Sequence, residues 1–333
     1  MTASRLVDRS PEVPAETLVA GMVPPPRFDG ARFETYLPDP AQPSQAAAVE
    51  ALQRFAATLQ PAPKRLFGRS RAPQARPGVY LDGGYGVGKT HLLASLWHVA
   101  PEPKAYGTFV ELTPLVGALG FGQAVEALSG HRLLAIDEFE LDDPGDTVLV
   151  STLLSRLVDA GVRVAATSNT LPGALGEGRF AAQDFLREIQ GLSAHFASVR
   201  VDGEDYRHRG LPEAPPPVDD ATVTATADAT AGATCDAFEP LLAHLSALHP
   251  SRYGALVDDV TLVGLTGVRP VADQAAALRV VVLADRLYDR DVPVLSSGVP
   301  LDQLFPQELL QGGYRKKYLR AVSRLTALAR QAQ

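Results

Sequence analysis

Cysteine, long apolar runs and excess positive charge are all scarce in this chain of 333 residues. The single cysteine, Cys235, excludes an internal disulfide framework and a cysteine-based zinc site. No segment approaches the roughly 18 consecutive apolar residues of a membrane span, and the first residues lack the apolar core of a secretion signal. A net charge of −7 argues against a surface that coats nucleic acid. We therefore expect a cytoplasmic protein with no transmembrane segment and no stable nucleic-acid partner. We expect this protein to act on another protein.

One cluster of basic residues is an exception to the net negative charge of the chain. Near the C-terminus, basic residues occur at Arg315, Lys316, Lys317, Arg320 and Arg324. A basic patch of this kind is an alternative site for a polyanion.

The most informative motif lies between residues 79 and 91. An apolar strand at residues 79–82 runs into a glycine-rich stretch that ends in Lys-Thr and opens a helix. The predicted nucleotide-binding residues are Gly83, Gly84, Tyr85, Gly86, Val87, Gly88, Lys89, Thr90 and His91. Glycines let successive backbone N–H groups turn around phosphate oxygens, and the N-terminus of the helix adds positive potential.

Two side chains of this phosphate loop have defined tasks. Lys89 is expected to reach the β and γ phosphates, and the Thr90 hydroxyl is expected to ligate Mg²⁺. ATP or GTP is therefore the first ligand to test, and an ordinary glycine turn is the alternative interpretation.

The chain around this loop predicts an α/β fold. Strands at 79–82, 108–111, 132–136, 162–167 and 197–202 alternate with helices at 89–99, 112–128, 146–160 and 181–195. Such alternation is typical of a parallel sheet covered by helices on both faces. We predict a phosphate-loop core over residues 78–209, preceded by an extended and helical N-terminal segment over residues 1–77.

The rest of the chain divides into two predicted parts. Residues 210–236 are rich in Pro, Ala and Thr, which indicates a flexible surface insertion. Residues 237–333 predict a further α/β region, with strands at 253–258 and 292–296 and helices at 238–248, 271–290 and 314–331. The acidic pair Asp258-Asp259 and its neighbouring strands resemble the pair Asp137-Glu138 and its neighbouring strands in the core. This similarity indicates a duplicated half-fold, strands that extend the same sheet, or chance. No phosphate loop precedes this pair, so no catalytic site is assigned to it.

Polar side chains follow two strands of the core. Asp137 and Glu138 end the apolar strand 132–136, and Asn169 follows the strand 162–167. With a phosphate loop nearby, Asp137 is expected to hold the Mg²⁺ shell, and Glu138 to polarise the attacking water. Asn169 is a candidate sensor that would hydrogen-bond the γ-phosphate or that water. A helix N-cap is the alternative for the acidic pair, and a turn or N-cap for Asn169.

Taken together, these motifs resemble the ZapE family, the AFG-one-like branch of the AAA ATPases. The resemblance runs from about residue 28 to the end, outside residues 210–236. It rests on residues 83–90, 136–143, 166–169 and 184–189, on Asp205-Tyr206-Arg207, and on the tail segments 256–260, 285–297, 299–301 and 318–325.

The resemblance implies a P-loop NTPase of the AAA type that hydrolyses ATP with Mg²⁺ as a homo-oligomer. It also implies a protein partner, FtsZ of the division ring in bacteria, and protein quality control at the inner membrane in mitochondrial relatives. The family's arginine finger aligns near an alanine here. Arg179, by a small shift, or Arg187 would serve across a subunit boundary, and a surface salt bridge is the alternative for either.

Three functional hypotheses follow. The first is an ATPase that acts on a protein partner in cell division, with Lys89, Thr90, Asp137, Glu138 and Asn169 as its machinery. The second is a nucleic-acid ATPase similar to helicase loaders, which single-stranded DNA would stimulate. The third is a slow ATP-binding switch or scaffold.

Overall fold

The computed structural model describes residues 3–12, 15–60, 76–84, 86–140, 144–171, 190–191, 193–203, 213–312 and 314–332. The chain divides into two compact units. The first, the phosphate-loop unit, comprises Pro14–Pro24 and Phe28–Tyr206, and the second comprises Met1–Val13, Pro25–Arg27 and Arg207–Gln333. No helix among the described residues is both long enough and apolar enough to cross a membrane.

The phosphate-loop unit is built on one sheet of five parallel strands. These are β1 (Gly78–Gly83), β2 (Lys104–Thr108), β3 (Leu133–Asp137), β4 (Arg163–Ser168) and β5 (Phe196–Val201). They lie in the order β2-β3-β4-β1-β5. All strands point the same way, so the carboxyl ends of β1, β3 and β4 meet at one edge of the sheet. This parallel sheet with helices confirms the predicted fold class.

Helices cover both faces of that sheet. They are α1 (Ala15–Ala20), α2 (Pro43–Ala57), α3 (Lys89–Val99), α4 (Phe109–Leu119), α5 (Phe121–Ser129) and α6 (Pro144–Asp159). Successive residues of a strand point to opposite faces. Tyr80 accordingly packs into one core with Phe139 and Phe196, while Leu81 packs into the other with Leu92.

Two predicted elements of this unit are wrong in their bounds. The strand predicted at 108–111 ends at Thr108, because a capping box starts α4 there. In it, the backbone N–H and the hydroxyl of Thr108 donate to Glu111 Oε2 at 2.6 and 2.9 Å. The helix predicted at 112–128 is two helices, α4 and α5, which Gly120 separates.

The second unit has a sheet of its own. Its parallel strands are β6 (Ala233–Ala237), β7 (Leu262–Val268) and β8 (Val294–Gly298), in that spatial order. Its helices are α7 (Asp220–Ala229), α8 (Phe238–Ala247), α9 (Tyr253–Leu256), α10 (Gln274–Asp289), α11 (Gln307–Leu310) and α12 (Arg315–Gln331). These strands do not extend the first sheet, so that interpretation of the second acidic pair is wrong.

The prediction of a flexible insertion over residues 210–236 is wrong for residues 213–236, which the structure describes. Asp219 caps α7 by accepting from the Thr222 N–H at 2.8 Å, and β6 follows directly. Val223 and Ala227 are fully buried. Helix and sheet approach so closely that a Cβ on Gly264 would lie 3.0 Å from Val223 Cγ1. Small residues build this contact, which is why composition alone indicated a flexible segment.

The strand predicted at 253–258 is also wrong. Residues Tyr253–Leu256 form α9, and the Tyr253 hydroxyl donates to the Leu245 carbonyl oxygen at 2.6 Å inside the core. The acidic pair closes the turn that follows. Asp258 accepts from Arg290 at 3.0 and 3.1 Å, and Asp259 has a left-handed backbone with φ of 60°.

Two arginines of the C-terminal basic cluster form ion pairs within the second unit. Arg320 and Arg324, on α12, both donate to the carboxylate of Asp285 on α10, and Arg320 does so at 2.8 Å. All three side chains are at most 20% exposed. Burial opposes ionisation of Asp285, but the two guanidinium groups outweigh it and hold its pKa below the usual value. This pair of arginines is thus part of the α10–α12 contact.

Asp285→Asn tests that contact. The substitution keeps the shape but leaves two buried guanidinium groups without a counter-ion, so we expect the free energy of unfolding to fall by about 3 kcal/mol. Because the folded-state pKa is depressed, the stabilisation by Asp285 is present above the unfolded pKa of about 4 and is lost as the pH falls further. Urea unfolding measures both effects.

Asp258→Asn is the matched control, because Asp258 pairs with one arginine and is 55% exposed. We expect it to cost less than about 1 kcal/mol. Equal losses in the two variants would contradict a structural role for the buried network.

Candidate functional site

The phosphate loop connects β1 to α3 and adopts the conformation that its glycines permit. Gly86 and Gly88 have positive φ angles of 77° and 85°, and α3 begins at Lys89. Gly88 is also crowded, since a Cβ there would lie 2.5 Å from Cε2 of Tyr36. Only glycine combines this left-handed conformation with so close a neighbour. Tyr85 lies outside the described residues.

Lys89 is the centre of the site. Its side chain is buried, and Nζ donates to the carbonyl oxygens of Gly83 at 2.8 Å and Gly84 at 2.5 Å, and to Asn169 Oδ1 at 3.0 Å. Burial lowers the pKa of Lys89 to about 8, against the opposing influence of the carboxylates of Asp137 and Glu140. The predicted lysine and the predicted sensor are therefore in direct contact.

Thr90 and Asp137 lie together beside this lysine. The Thr90 hydroxyl donates to Asp137 Oδ1 at 3.3 Å. Asp137 also accepts from Thr167 at Oδ1 and from the hydroxyl of Tyr106 at Oδ2, the latter at 3.1 Å. Carboxylate and hydroxyl oxygens are the ligands that Mg²⁺ prefers. The donor set fits the predicted magnesium site.

Glu138 follows Asp137 with an unusual backbone. Its φ is 53°, a left-handed value that is uncommon for a residue with a side chain. The conformation is held from β4, because the Glu138 N–H donates to Thr167 Oγ1 at 3.1 Å and the Phe139 N–H donates to the Thr167 carbonyl oxygen at 2.7 Å. Such conformations cluster at functional sites.

Side chains from the N-terminal segment contact the outer side of the loop. The hydroxyl of Tyr36 donates to the Val87 carbonyl oxygen at 2.9 Å. His91, a predicted nucleotide-binding residue, lies with Nε2 at 3.0 Å from both Thr35 Oγ1 and the Arg32 carbonyl oxygen. The structure thus places the His91 imidazole against the N-terminal segment.

The structure adds site residues that sequence reasoning missed. Tyr106 was missed because the strand that carries it was placed too late in the chain. Glu140 contacts the segment that carries Asn169. Arg200 on β5 donates to the buried Asp82 at 2.7 Å, directly before the loop. These contacts join different strands, so no local pattern signals them. The two arginine-finger candidates, Arg179 and Arg187, lie outside the described residues.

The chain has relatives among known proteins. The sequence model of the AFG1-like ATPase family matches residues 22–231 and 219–333. The cell division protein ZapE of Escherichia coli, from strains K12 and O157:H7, is 28% identical over 207 residues, which are 54% of this chain and 54% of the relative. The chain thus spans about half the length of the curated relatives it matches.

A replication initiator DnaA bound to AMPPCP and single-stranded DNA has a TM-score of 0.40 at 14% identity, covering 53% of this chain and 51% of that one. The DnaC helicase loader has a TM-score of 0.37 at 16% identity, covering 53% of this chain and 99% of that one. The family match, by contrast, extends over both units and confirms the resemblance that the motifs predicted. The chain belongs to the AFG1-like ATPase family.

Proposed function

We propose that this chain is a Mg²⁺-dependent ATP hydrolase that uses turnover to act on a protein partner in cell division, with FtsZ as that partner. One observation carries the proposal. Lys89 donates to Asn169 at 3.0 Å and Thr90 donates to Asp137 at 3.3 Å, at the carboxyl ends of neighbouring strands.

Substrate binding belongs to the loop and its lysine. The backbone N–H groups between Gly83 and Thr90 and the N-terminus of α3 would hold the phosphates, and the Lys89 ammonium would pair with the β and γ oxygens. Thr90 and Asp137 would hold Mg²⁺, which when bound neutralises charge on the phosphates. The choice of ATP over GTP follows from the family.

The hydrolytic step belongs to Glu138. Its carboxylate would orient a water molecule and accept its proton, while the water oxygen forms a bond to the γ-phosphorus and ADP leaves with the electrons of the broken P–O bond. Asn169 would hydrogen-bond the γ-phosphate or that water. An arginine from a neighbouring copy, Arg179 or Arg187, would stabilise the charge that develops, and the proposal therefore includes a homo-oligomer.

The partner is proposed from the relatives. The curated relatives are named as cell division proteins, and the net charge of −7 favours a protein over a polyanion. Within the second unit, Arg320 and Arg324 bind Asp285, which leaves less of the C-terminal basic cluster for nucleic acid.

Glu138→Gln is the first test. It keeps the shape and removes the base, so we expect the steady-state ATP hydrolysis rate to fall about 100-fold or more, while an ATP analogue still binds. Lys89→Ala should abolish both binding and turnover. Glu126→Gln, the same chemical change on an exposed position of α5, is the control and should leave turnover unchanged.

The same assay separates the alternatives. Turnover per subunit that rises with protein concentration supports a site shared between copies, and stimulation by purified FtsZ supports the partner. Stimulation by single-stranded DNA instead would favour the nucleic-acid ATPase. Turnover that survives in Glu138→Gln would refute the assigned base, and tight binding without turnover under every condition would indicate the switch.

Tyr106→Phe tests the cation site. Removing the hydroxyl that donates to Asp137 should raise the Mg²⁺ concentration for half-maximal hydrolysis about tenfold, because partners that orient a metal ligand contribute that much to affinity. Turnover at saturating Mg²⁺ should stay within about twofold of the wild type. Tyr253→Phe removes a buried hydroxyl in the second unit and is the matched control. An unchanged Mg²⁺ requirement in Tyr106→Phe would contradict this role.

The pKa of Lys89 predicts a pH dependence of binding. Above its value of about 8, the free protein loses the ammonium charge, so affinity for an ATP analogue should weaken as the pH rises. Calorimetry from about pH 7 to about pH 9.5 should show a constant affinity first and then a loss approaching tenfold per pH unit. Circular dichroism at each pH confirms that the chain stays folded. Constant affinity over the whole range would contradict the assignment.

A further inference from the structure

A third carboxylate, Glu140, lies beside the site and has no part in the chemistry proposed above. It follows Glu138 by two residues, and the buried Phe139 separates them. Glu140 Oε1 accepts from the Ser168 hydroxyl at 3.2 Å and from the backbone N–H of Asn169 at 3.3 Å, and Oε2 accepts from the Thr170 hydroxyl at 3.4 Å. Donors from three consecutive residues thus meet one side chain.

The segment around Asn169 is also held from its other side. The Tyr80 hydroxyl donates to the Thr170 carbonyl oxygen at 2.7 Å, and the Thr170 N–H donates to Ser168 Oγ at 3.0 Å. Burial raises the pKa of Tyr80, so its hydroxyl stays protonated and remains a donor. Asn169 therefore lies between two residues whose positions are fixed by hydrogen bonds.

Glu140 is itself firmly placed. Phe139, next to it, is fully buried among aromatic rings, with centroids 5.2 Å from Phe109 and 6.2 Å from both Tyr80 and Phe196. A carboxylate attached to such an anchor can impose its position on the groups that donate to it. A charged acceptor also forms stronger hydrogen bonds than a neutral one.

We propose that Glu140 is a positioning residue that holds the segment 168–170 so that the Asn169 amide meets Lys89 and the nucleotide. The inference rests on the proposed function, because Asn169 is the group through which Glu140 acts. The Lys89 Nζ to Asn169 Oδ1 contact of 3.0 Å is the geometry that it maintains. Position errors of this kind reduce turnover more than they reduce binding.

Glu140→Gln tests the proposal, because it keeps the size and replaces one acceptor oxygen by a donor. We expect kcat to fall about tenfold or more, with the affinity for an ATP analogue and the Tm close to the wild type. Glu126→Gln is again the matched control. A purely structural role would lower Tm and leave kcat per folded molecule unchanged.

A double-mutant cycle with Asn169→Ala decides whether Glu140 acts through Asn169. If it does, Glu140→Gln/Asn169→Ala should match Asn169→Ala alone, since the group being positioned is already gone. Effects that multiply, or a kcat within twofold of the wild type in Glu140→Gln, would overturn the proposal. If Glu140→Gln does not fold, Thr170→Val removes one donor hydroxyl and takes its place in the cycle.

Hydrogen exchange supplies a readout that needs no turnover. The backbone N–H of Asn169, which donates to Glu140, should exchange faster in Glu140→Gln than in the wild type. An unchanged exchange rate would refute the contact. This separates two failures. If the wild type lacks turnover that depends on Glu138 but the exchange changes as expected, the proposed function fails alone. If the wild type hydrolyses ATP and Glu140→Gln matches it in turnover, the positioning role fails alone.

Discussion

A buried positive charge, the Lys89 ammonium, is the constraint on which the candidate site depends. Removing the Lys89 ammonium from water is costly, and the lowered pKa of Lys89 reflects that cost. Three oxygen acceptors compensate it, two from the end of β1 and one from Asn169 beyond the end of β4. One side chain thus ties together the ends of two adjacent strands, at a place where an anionic phosphate would complete the compensation.

Thr167 fixes the two acidic residues Asp137 and Glu138 through hydrogen bonds. Its hydroxyl donates to Asp137 and accepts from the Glu138 N–H, while its carbonyl oxygen accepts from the Phe139 N–H. A single residue of β4 thereby fixes the carboxylate of one acid and the left-handed backbone of the other. This arrangement follows from the order of the strands, because β3 and β4 are hydrogen-bonded neighbours whose carboxyl ends coincide. The geometry of the site is in this sense a property of the sheet.

The sequence predicted what contiguous residues encode and missed what distant residues build. The phosphate loop and the pair Asp137-Glu138 are short motifs after apolar strands, and the structure has those strands at Gly78–Gly83 and Leu133–Asp137. Tyr106 reaches the site from β2, and Glu140, beyond the end of β3, contacts the segment at the end of β4; no spacing rule describes these contacts. Segment 108–111 looked like a strand because of Phe and Val, but the capping box at Thr108 prevailed. The contact between Val223 and Gly264 was not predicted from the sequence, because it depends on small residues and a close approach. Pattern rules detect large apolar side chains.

The small sheet of the second unit shows why segments with weak patterns are ordered. A sheet of three strands has two edges, each with unpaired backbone groups that invite pairing with other chains. Ser4 forms a parallel bridge with Thr234 on the β6 edge, and Val218 forms one with Ser297 on the β8 edge. The first bridge is reinforced at Asp236, which accepts from the N–H groups of Leu6 and Val7 at 2.8 and 3.1 Å. At the β8 edge, Val218 follows Pro215-Pro216-Pro217, which have no N–H to donate and so cover the edge without offering a new one. Two short segments outside the strands β6 to β8 therefore cover the two sheet edges of this unit.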